Sequence, residues 1–171
     1  MPGRTRPNRL RPPSIYLPLS RAIAWLTQDL TPDRSHVYVE SIGDSPFYVQ
    51  FAFSNGVLRY EAVSNRYLRE GFRLNEREHR ALRGLGWLHP DHDSPNWNRM
   101  ELVDRAFDFA AVARVVQRTF SEVYGVLPEG LLLRCTWPDH EGGCYTFRAR
   151  ILVEHGWGWC GVGVEQARWR N

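Results

Sequence analysis

Two groups of side chains in this sequence could bind a metal ion. The first is the run His89-Pro90-Asp91-His92-Asp93, which places two imidazoles and two carboxylates within five residues. Thiolate and imidazole are the ligands that zinc prefers, so a second set of side chains, in the C-terminal quarter of the chain, could also bind zinc. That second set consists of Cys135, His140, Cys144, His155 and Cys160. Either set would make the protein a small zinc-binding protein or a metalloenzyme.

Neither group has the spacing of a known metal motif. Pro90 separates His89 from His92, and two glycines precede the run, so the backbone is expected to be a loop without preset geometry. Gly, Pro, Asp and Ser each favour turns, and we interpret this loop as a connection. The C-terminal set contains no Cys-x-x-Cys pair. We therefore predict no cofactor and keep the C-terminal set as the alternative.

Catalytic motifs are missing from the sequence as well. It has no Gly-x-Ser-x-Gly elbow, no phosphate-binding loop ending in Gly-Lys, and no glycine-rich dinucleotide motif after a strand. Gly84-Leu85-Gly86 looks like part of such a motif, but it follows a helical pattern and predicts a helix end. We do not expect an enzyme.

Composition predicts a soluble globular protein. Of 171 residues, 43% are apolar and 13% aromatic, which is enough to fill a core. No run approaches the roughly eighteen apolar residues of a membrane helix, and the N-terminus lacks the apolar segment of a secretion signal. We expect no membrane partner and a cytoplasmic location. The three cysteines are an odd number, which argues for reduced thiols over a disulfide framework.

Charge separates the N-terminal segment from the rest of the chain. Residues 1–16 combine prolines with Arg4, Arg6, Arg9 and Arg11, and this composition predicts a disordered, solvated tail. The tail could contact phosphates, so a weak nucleic-acid binder is a further alternative. The formal net charge of +3 is small for a dedicated nucleic-acid binder, and we do not predict such a partner.

Hydrophobic periodicity predicts a helix followed by three meandering strands. Apolar residues at helical spacing indicate a helix over Leu17–Leu30. Runs rich in β-formers follow at His36–Ile42, Phe47–Ser54 and Val57–Ser64. Asn55-Gly56 joins the last two, and this pair tolerates the positive φ angles of a two-residue hairpin turn.

A two-residue turn fixes the pairing of the hairpin. One face then carries Phe53 opposite Leu58, Phe51 opposite Tyr60 and Val49 opposite Ala62, and it must be covered by helices. The other face is mixed and can meet solvent or a partner. It pairs Ser54 with Val57, Ala52 with Arg59, Gln50 with Glu61 and Tyr48 with Val63.

The second half of the chain predicts two more helices and further strands. Asn75 and Glu78 have capping-box spacing at the start of a helix that reaches Arg83. A strand is predicted after Pro95-Asn96, and a long core helix over residues 105–125 is predicted to be capped by Asp104. Strands over Leu131–Trp137 and Tyr145–Glu154 follow, before a glycine-rich end that pairs weakly or is poorly ordered.

This order of elements, with several short motifs, resembles a known family. The motifs are YVQFAF, LRYEAVSNRYL, LGW, PNW and VVQRTFSEVYGV. Over Leu17–Pro128 the chain is similar to the actinobacterial peptide-binding chaperone domains related to type III secretion chaperones and YbjN proteins. The resemblance implies an α+β domain, an antiparallel meander sheet flanked by helices in the order α-β-β-β-α-β-α.

The family resemblance also implies a function and a division of the chain. It implies a non-catalytic platform for extended peptide or protein clients, working as a homodimer. The division is a tail at 1–16, a chaperone-like domain at 17–128 and a C-terminal extension at 129–171, forming a hairpin or poorly ordered. An extended client can add to a sheet edge while its side chains enter shallow pockets. The candidate pocket residues are Tyr48, Val63, Tyr67 and Leu68. Their alternative role is to close the edge of the core.

Overall fold

The computed structural model describes residues 19–20, 23–24, 36–127, 130–138, 144–150 and 167–169. Seven antiparallel strands form one sheet in the order β4-β3-β2-β1-β5-β6-β7. They are β1 His36–Ser41, β2 Tyr48–Ser54, β3 Val57–Ala62, β4 Trp97–Leu102, β5 Leu131–Pro138, β6 Cys144–Arg150 and β7 Ala167–Trp169. Two α-helices lie wholly within the described residues: α1, Glu76–Gly84, and α2, Phe109–Arg118. The α+β prediction is confirmed.

The central hairpin has the predicted register. Phe51 pairs with Tyr60 and Gln50 with Glu61, as a two-residue turn requires. Asn55 and Gly56 take φ angles of 51° and 76°, which is the left-handed backbone expected of this turn. The Val63 N–H donates to the Tyr48 carbonyl at 3.1 Å and extends the pairing to its predicted end.

The core lies between the apolar face of the sheet and the helices. Its largest fully buried side chains include Trp97, Tyr60, Phe51 and Phe120. Leu19 and Ile23 are buried in the same cluster, and residues 19–20 and 23–24 have helical backbone, which agrees with the predicted first helix. The other residues of that predicted helix lie outside the described residues. Among the described residues, no helix is long and apolar enough to cross a membrane.

Helix α1 begins and ends as its sequence predicts. The Asn75 Oδ1 accepts from the backbone N–H of Glu78, and the Glu78 carboxylate accepts from the Asn75 N–H, so the capping box is confirmed. At the other end Gly86 has a φ of +84°. The Trp87 N–H returns to the Leu82 carbonyl at 3.1 Å, which is the bond of a glycine-terminated Schellman motif.

Helix α2 begins later than predicted. The Asp108 Oδ1 accepts from the Ala111 N–H at 3.0 Å and caps a helix that starts at Phe109. Asp104 instead accepts from the Ala106 N–H at 2.8 Å in a separate turn, so its prediction as the cap was wrong. The helix continues after Arg118 as a π-helical turn over Thr119–Val123. Two aspartates four residues apart could each cap a helix, and periodicity did not distinguish them.

The C-terminal strands are integral to the sheet. β5 pairs with β1 along six residue pairs, from His36 opposite Thr136 to Ser41 opposite Leu131, and β6 pairs with β5 as predicted. Leu131 and Leu133 are buried in the core. β7, which pairs with β6, was not predicted. The division of the chain at residue 128 stays a prediction, and the tail at 1–16 lies outside the described residues.

Candidate functional site

The face of the sheet opposite the helical layer carries aromatic and charged side chains that keep part of their surface exposed. We call it the open face. Strand alternation places its residues between the core positions, because successive side chains point to opposite sides of a strand. Its main members are Tyr38, Glu40, Tyr48, Gln50, Arg59 and Arg134, and the side chain of Glu61 is buried among them.

Two tyrosines and an arginine form the centre of the open face. The rings of Tyr38 and Tyr48 meet edge to face with centroids 6.4 Å apart. The Arg134 guanidinium lies 4.1 Å from the Tyr38 ring centroid, within the range of a cation–π contact. Its Nε also donates to both carboxylate oxygens of Glu40 at 3.2 and 3.1 Å. Arg134 therefore holds the Tyr38 ring in place.

Asn96 connects the open face to the loop before β4. Its Oδ1 accepts from the Ser64 N–H at 3.1 Å, and its Nδ2 donates to the Tyr48 hydroxyl and to the Glu61 carboxylate, each at 3.3 Å. Gln50 donates to the same Glu61 oxygen at 2.7 Å. Burial raises the pKa of Tyr48, and the Asn96 hydrogen bond lowers it in part. The Tyr48 hydroxyl is therefore neutral and fixed in direction.

The His-Pro-Asp-His-Asp run is a turn that folds against this network. Asp91 accepts from the backbone N–H groups of Asp93 and Ser94 at 3.0 and 2.7 Å, as in an Asx-turn. Ser94 then accepts from the Arg59 guanidinium at 3.0 Å. The His92 side chain is fully exposed, whereas the His89 ring packs 5.0 Å from the Trp97 ring. The run is the predicted loop, and it connects the end of α1 and the Leu88 bridge to β4.

No group of three His, Cys, Asp or Glu side chains comes together as a metal site among the residues that the structure describes. Of the alternative C-terminal set, Cys135 and Cys144 lie in β5 and β6, where Cys144 pairs with Pro138 and Cys135 with Phe147. The other three members of that set, His140, His155 and Cys160, lie outside the described residues. The metal alternative is not favoured.

Of the four predicted pocket residues, one is exposed, one is half-buried and two are buried. Tyr48 is half-buried on the open face, and Tyr67 is 52% exposed and close enough to act on the Tyr48 pKa. Val63 and Leu68 are 0% and 4% exposed and belong to the core cluster. Their prediction as peptide contacts stays a prediction.

Sequence reasoning did not identify Tyr38 and Arg134 as members of this surface. Arg134 reaches Glu40 across 94 positions of sequence, and only the pairing of β5 with β1 brings them together. No local pattern signals such a contact. Asn96 was predicted to hold its own turn, and in the structure its amide instead joins Ser64, Tyr48 and Glu61.

Comparison with known proteins identifies the family. A family model described as T3SS (YopN, CesT) and YbjN peptide-binding chaperone 3 matches residues 19–137, which is well over half of the chain. The match includes most of β5, up to the residue before Pro138. No curated protein and no solved structure matches the chain. The chain belongs to this family of peptide-binding chaperones, TY-Chap3.

Proposed function

We propose that this protein is a non-catalytic chaperone that holds an extended peptide or protein client against the open face of its sheet. Membership of a peptide-binding chaperone family supports the binding of such clients. The observation that carries the location is the pair Tyr38 and Tyr48, partly exposed rings held by Arg134 and Asn96.

The open face has the chemistry of a peptide contact surface. Tyrosine rings supply large contact area with few rotatable bonds, so little entropy is lost when a ligand orders them. Tyr67 adds a third ring, 52% exposed, and the Arg66 guanidinium lies 6.0 Å from its centroid. Gln50 and Arg59 offer polar groups to a peptide backbone. The combination suits a chain of mixed sequence.

Of the predicted pocket residues, we assign direct contact to Tyr48 and Tyr67. Val63 and Leu68 support the segment between β3 and α1 from the core side. The Val63 carbonyl accepts from the buried Tyr124 hydroxyl at 3.2 Å, which fixes the start of that segment. Leu68 packs in the core one residue after Tyr67. Together they set the position of the exposed ring.

The proposal also includes a homodimer in the cytoplasm. The dimer is implied by the family resemblance, and the location by the composition of the sequence. Sedimentation velocity of the full chain tests the dimer, and fractionation of cells that express it tests the location. A monomer at micromolar concentrations, or a protein recovered with membranes, would contradict these two parts without affecting peptide binding.

A defined peptide library tests the proposed surface. The full chain is incubated with an array of twelve-residue peptides, and affinities for the bound peptides are measured by fluorescence anisotropy. We expect the double variant Tyr48→Ala, Tyr67→Ala to bind at least about tenfold more weakly, since tenfold corresponds to about 1.4 kcal/mol and two aromatic anchors are lost. Leu127→Ala is the matched control, because Leu127 is 68% exposed but lies in the connection between α2 and β5.

Two results would contradict the proposal. Equal affinity of the double variant and the native chain would move the binding surface away from the tyrosines. Failure of every peptide to bind the native chain would refute peptide binding itself. Tyr48→Phe separates ring from hydroxyl, because it keeps the ring and removes only the bond from Asn96.

A further inference from the structure

Strand β4 forms one edge of the sheet, and its outer side is only partly paired. On the inner side it pairs with β3, from Val57 opposite Leu102 to Ala62 opposite Trp97. On the outer side the Leu88 N–H donates to the Asn98 carbonyl at 2.9 Å and the Asn98 N–H donates to the Leu88 carbonyl at 3.2 Å. Asn98 thus directs both of its main-chain groups outward.

The direction of the Asn98 groups fixes the direction of the rest of the strand. In an antiparallel ladder the main-chain groups of successive residues alternate between the two sides of a strand. Met100 and Leu102 therefore also direct their N–H and C=O groups outward. Val103 agrees with this alternation, since its N–H points inward to the Gly56 carbonyl at 2.8 Å. Beyond the Leu88 bridge, no strand in the described part of the chain pairs with this side.

Apolar side chains lie along the same stretch. Met100 is 60% exposed, Leu102 is 79% exposed, and Leu88 beside them is 58% exposed. These are three of the six large apolar residues that the described structure exposes. Unpaired main-chain groups together with apolar side chains at alternate positions form a template for another strand.

We propose that this edge, which we call the β4 edge and define by Leu88, Met100 and Leu102, binds a client segment as an added antiparallel strand. Main-chain hydrogen bonds to Met100 and Leu102 supply the affinity, and alternate side chains supply the specificity. The inference rests on the proposed function, that the chain binds extended peptides, but it concerns a surface separate from the tyrosines. The client segment has apolar residues at positions opposite Met100 and Leu102.

A second copy of this chain is a poorer occupant than a client. Consider two copies whose β4 edges pair with each other as antiparallel strands. Within β4, the outward N–H and C=O groups of Met100 and Leu102 are all paired only when Met100 of one copy lies opposite Leu102 of the other. That register is centred on Glu101 and places two glutamates directly opposite each other, which is destabilising. Centring on Met100 instead places Leu102 opposite Asn98, whose outward groups already bond Leu88. A client needs only a neutral or basic residue opposite Glu101.

The test uses a nine-residue synthetic peptide, acetylated and amidated, with Val at alternate positions and Thr or Arg between them. Amide hydrogen exchange of the full chain is followed by NMR. We expect the Met100 and Leu102 amides to exchange freely in the unbound chain and at least tenfold more slowly with saturating peptide. The same peptide N-methylated at the residues facing β4 is expected to bind at least tenfold more weakly.

A proline variant tests the main-chain bonds from the protein side. Leu102→Pro removes an N–H that points outward, so the bonds between β3 and β4 remain. We expect the test peptide to bind the Leu102→Pro variant at least tenfold more weakly than the native chain. Leu102→Thr keeps the N–H, so its affinity for the peptide should fall less. Circular dichroism checks that the proline variant folds. If it does not fold, the N-methylated peptide still tests whether main-chain hydrogen bonds hold the peptide at the β4 edge.

Each other outcome overturns a stated part of the inference. Peptide binding without slower exchange at Met100 and Leu102 would reject the β4 edge and leave the proposed function intact. If the Met100 and Leu102 amides exchange more slowly at higher protein concentration in the absence of peptide, a second copy of the chain occupies the edge. That result would contradict the proposal. Binding of neither this peptide nor any library peptide would refute both the edge and the proposed function.

Discussion

Asn96→Ala is expected to be the most destabilising single change on the open face. The asparagine is 4% exposed and satisfies the Ser64 N–H, while its amide also bonds Tyr48 and Glu61. A buried donor left without a partner costs about 1–3 kcal/mol, and the lost bond to the Glu61 carboxylate, which is long at 3.3 Å, adds about 1.5 kcal/mol. We therefore expect about 3 kcal/mol of lost stability, or a fall in Tm of about 10 °C for a chain of this size.

Urea unfolding followed by tryptophan fluorescence measures this loss, since Trp87 and Trp97 are buried in the core. Asn98→Ala is the matched control, because Asn98 is 5% exposed and makes no side-chain hydrogen bond within the described residues. A loss of less than about 1 kcal/mol for Asn96→Ala, or a loss equal to that of the control, would refute the assigned role.

Asn96→Asp refines the same prediction. It keeps an oxygen acceptor for the Ser64 N–H but places a second carboxylate beside Glu61. Repulsion between like charges raises the folded-state pKa of the new carboxyl, so its protonated form is favoured on folding. The stability lost by this variant relative to the native chain should therefore shrink as the pH falls from 7 towards 4. A loss independent of pH would contradict the contact with Glu61.

Three further predictions concern the core and the caps. Asn75→Ala removes the capping box of α1, should cost about 1 kcal/mol, and is measured by thermal unfolding under circular dichroism. Thr119→Val leaves the buried Trp87 Nε1–H without its 2.9 Å acceptor and should cost about 1–3 kcal/mol; a double-mutant cycle with Trp87→Phe should show that the two losses do not add. Burial raises the pKa of Tyr60 and Tyr124 above their ordinary 10.0, because it disfavours the ionised side chains in the folded state. The stability that these neutral side chains contribute is therefore fully present below pH 10.0 and is lost as the pH rises above it. Urea midpoints between about pH 8 and 11 measure this loss, and the decline should be shallower in Tyr124→Phe; an unchanged slope would show that Tyr124 ionises freely in the native state.

The parts of the fold that the sequence predicted are those determined by neighbouring residues. Asn55-Gly56 sets the hairpin register through its own backbone angles, and the Asn75 and Glu78 pair acts within one helical turn. Tertiary pairing determines the rest. Nothing near Arg134 or Glu40 in sequence indicates that the two share one side of the sheet. Tyr38 likewise lies beside Tyr48 only because β1 pairs with β2, and of the rings on the open face only Tyr48 and Tyr67 were predicted.

The start of α2 shows a limit of a different kind. Asp104 and Asp108 each accept a backbone N–H, but Asp104 does so in a separate turn and Asp108 at the start of α2. Phe107 and Phe109 pack edge to face with centroids 4.9 Å apart, so the chain turns between them before the helix begins. Hydrophobic periodicity continues across that turn and therefore cannot locate the boundary.

The contacts of β4 on its core side explain how its outer edge can stay unpaired and ordered. Arg99 donates to the Leu85 carbonyl at 2.9 Å and to Glu101 at 3.0 Å, and Glu101 also accepts from the buried Tyr60 hydroxyl. These bonds join β4 to β3 and to the end of α1. A strand fixed in this way loses little conformational entropy when a client binds, so more of the hydrogen-bond energy remains as affinity. Arg99→Ala should therefore weaken binding of the test peptide at the β4 edge, although Arg99 lies on the opposite face from Met100 and Leu102; unchanged affinity in a folded variant would show that the edge is ordered without it.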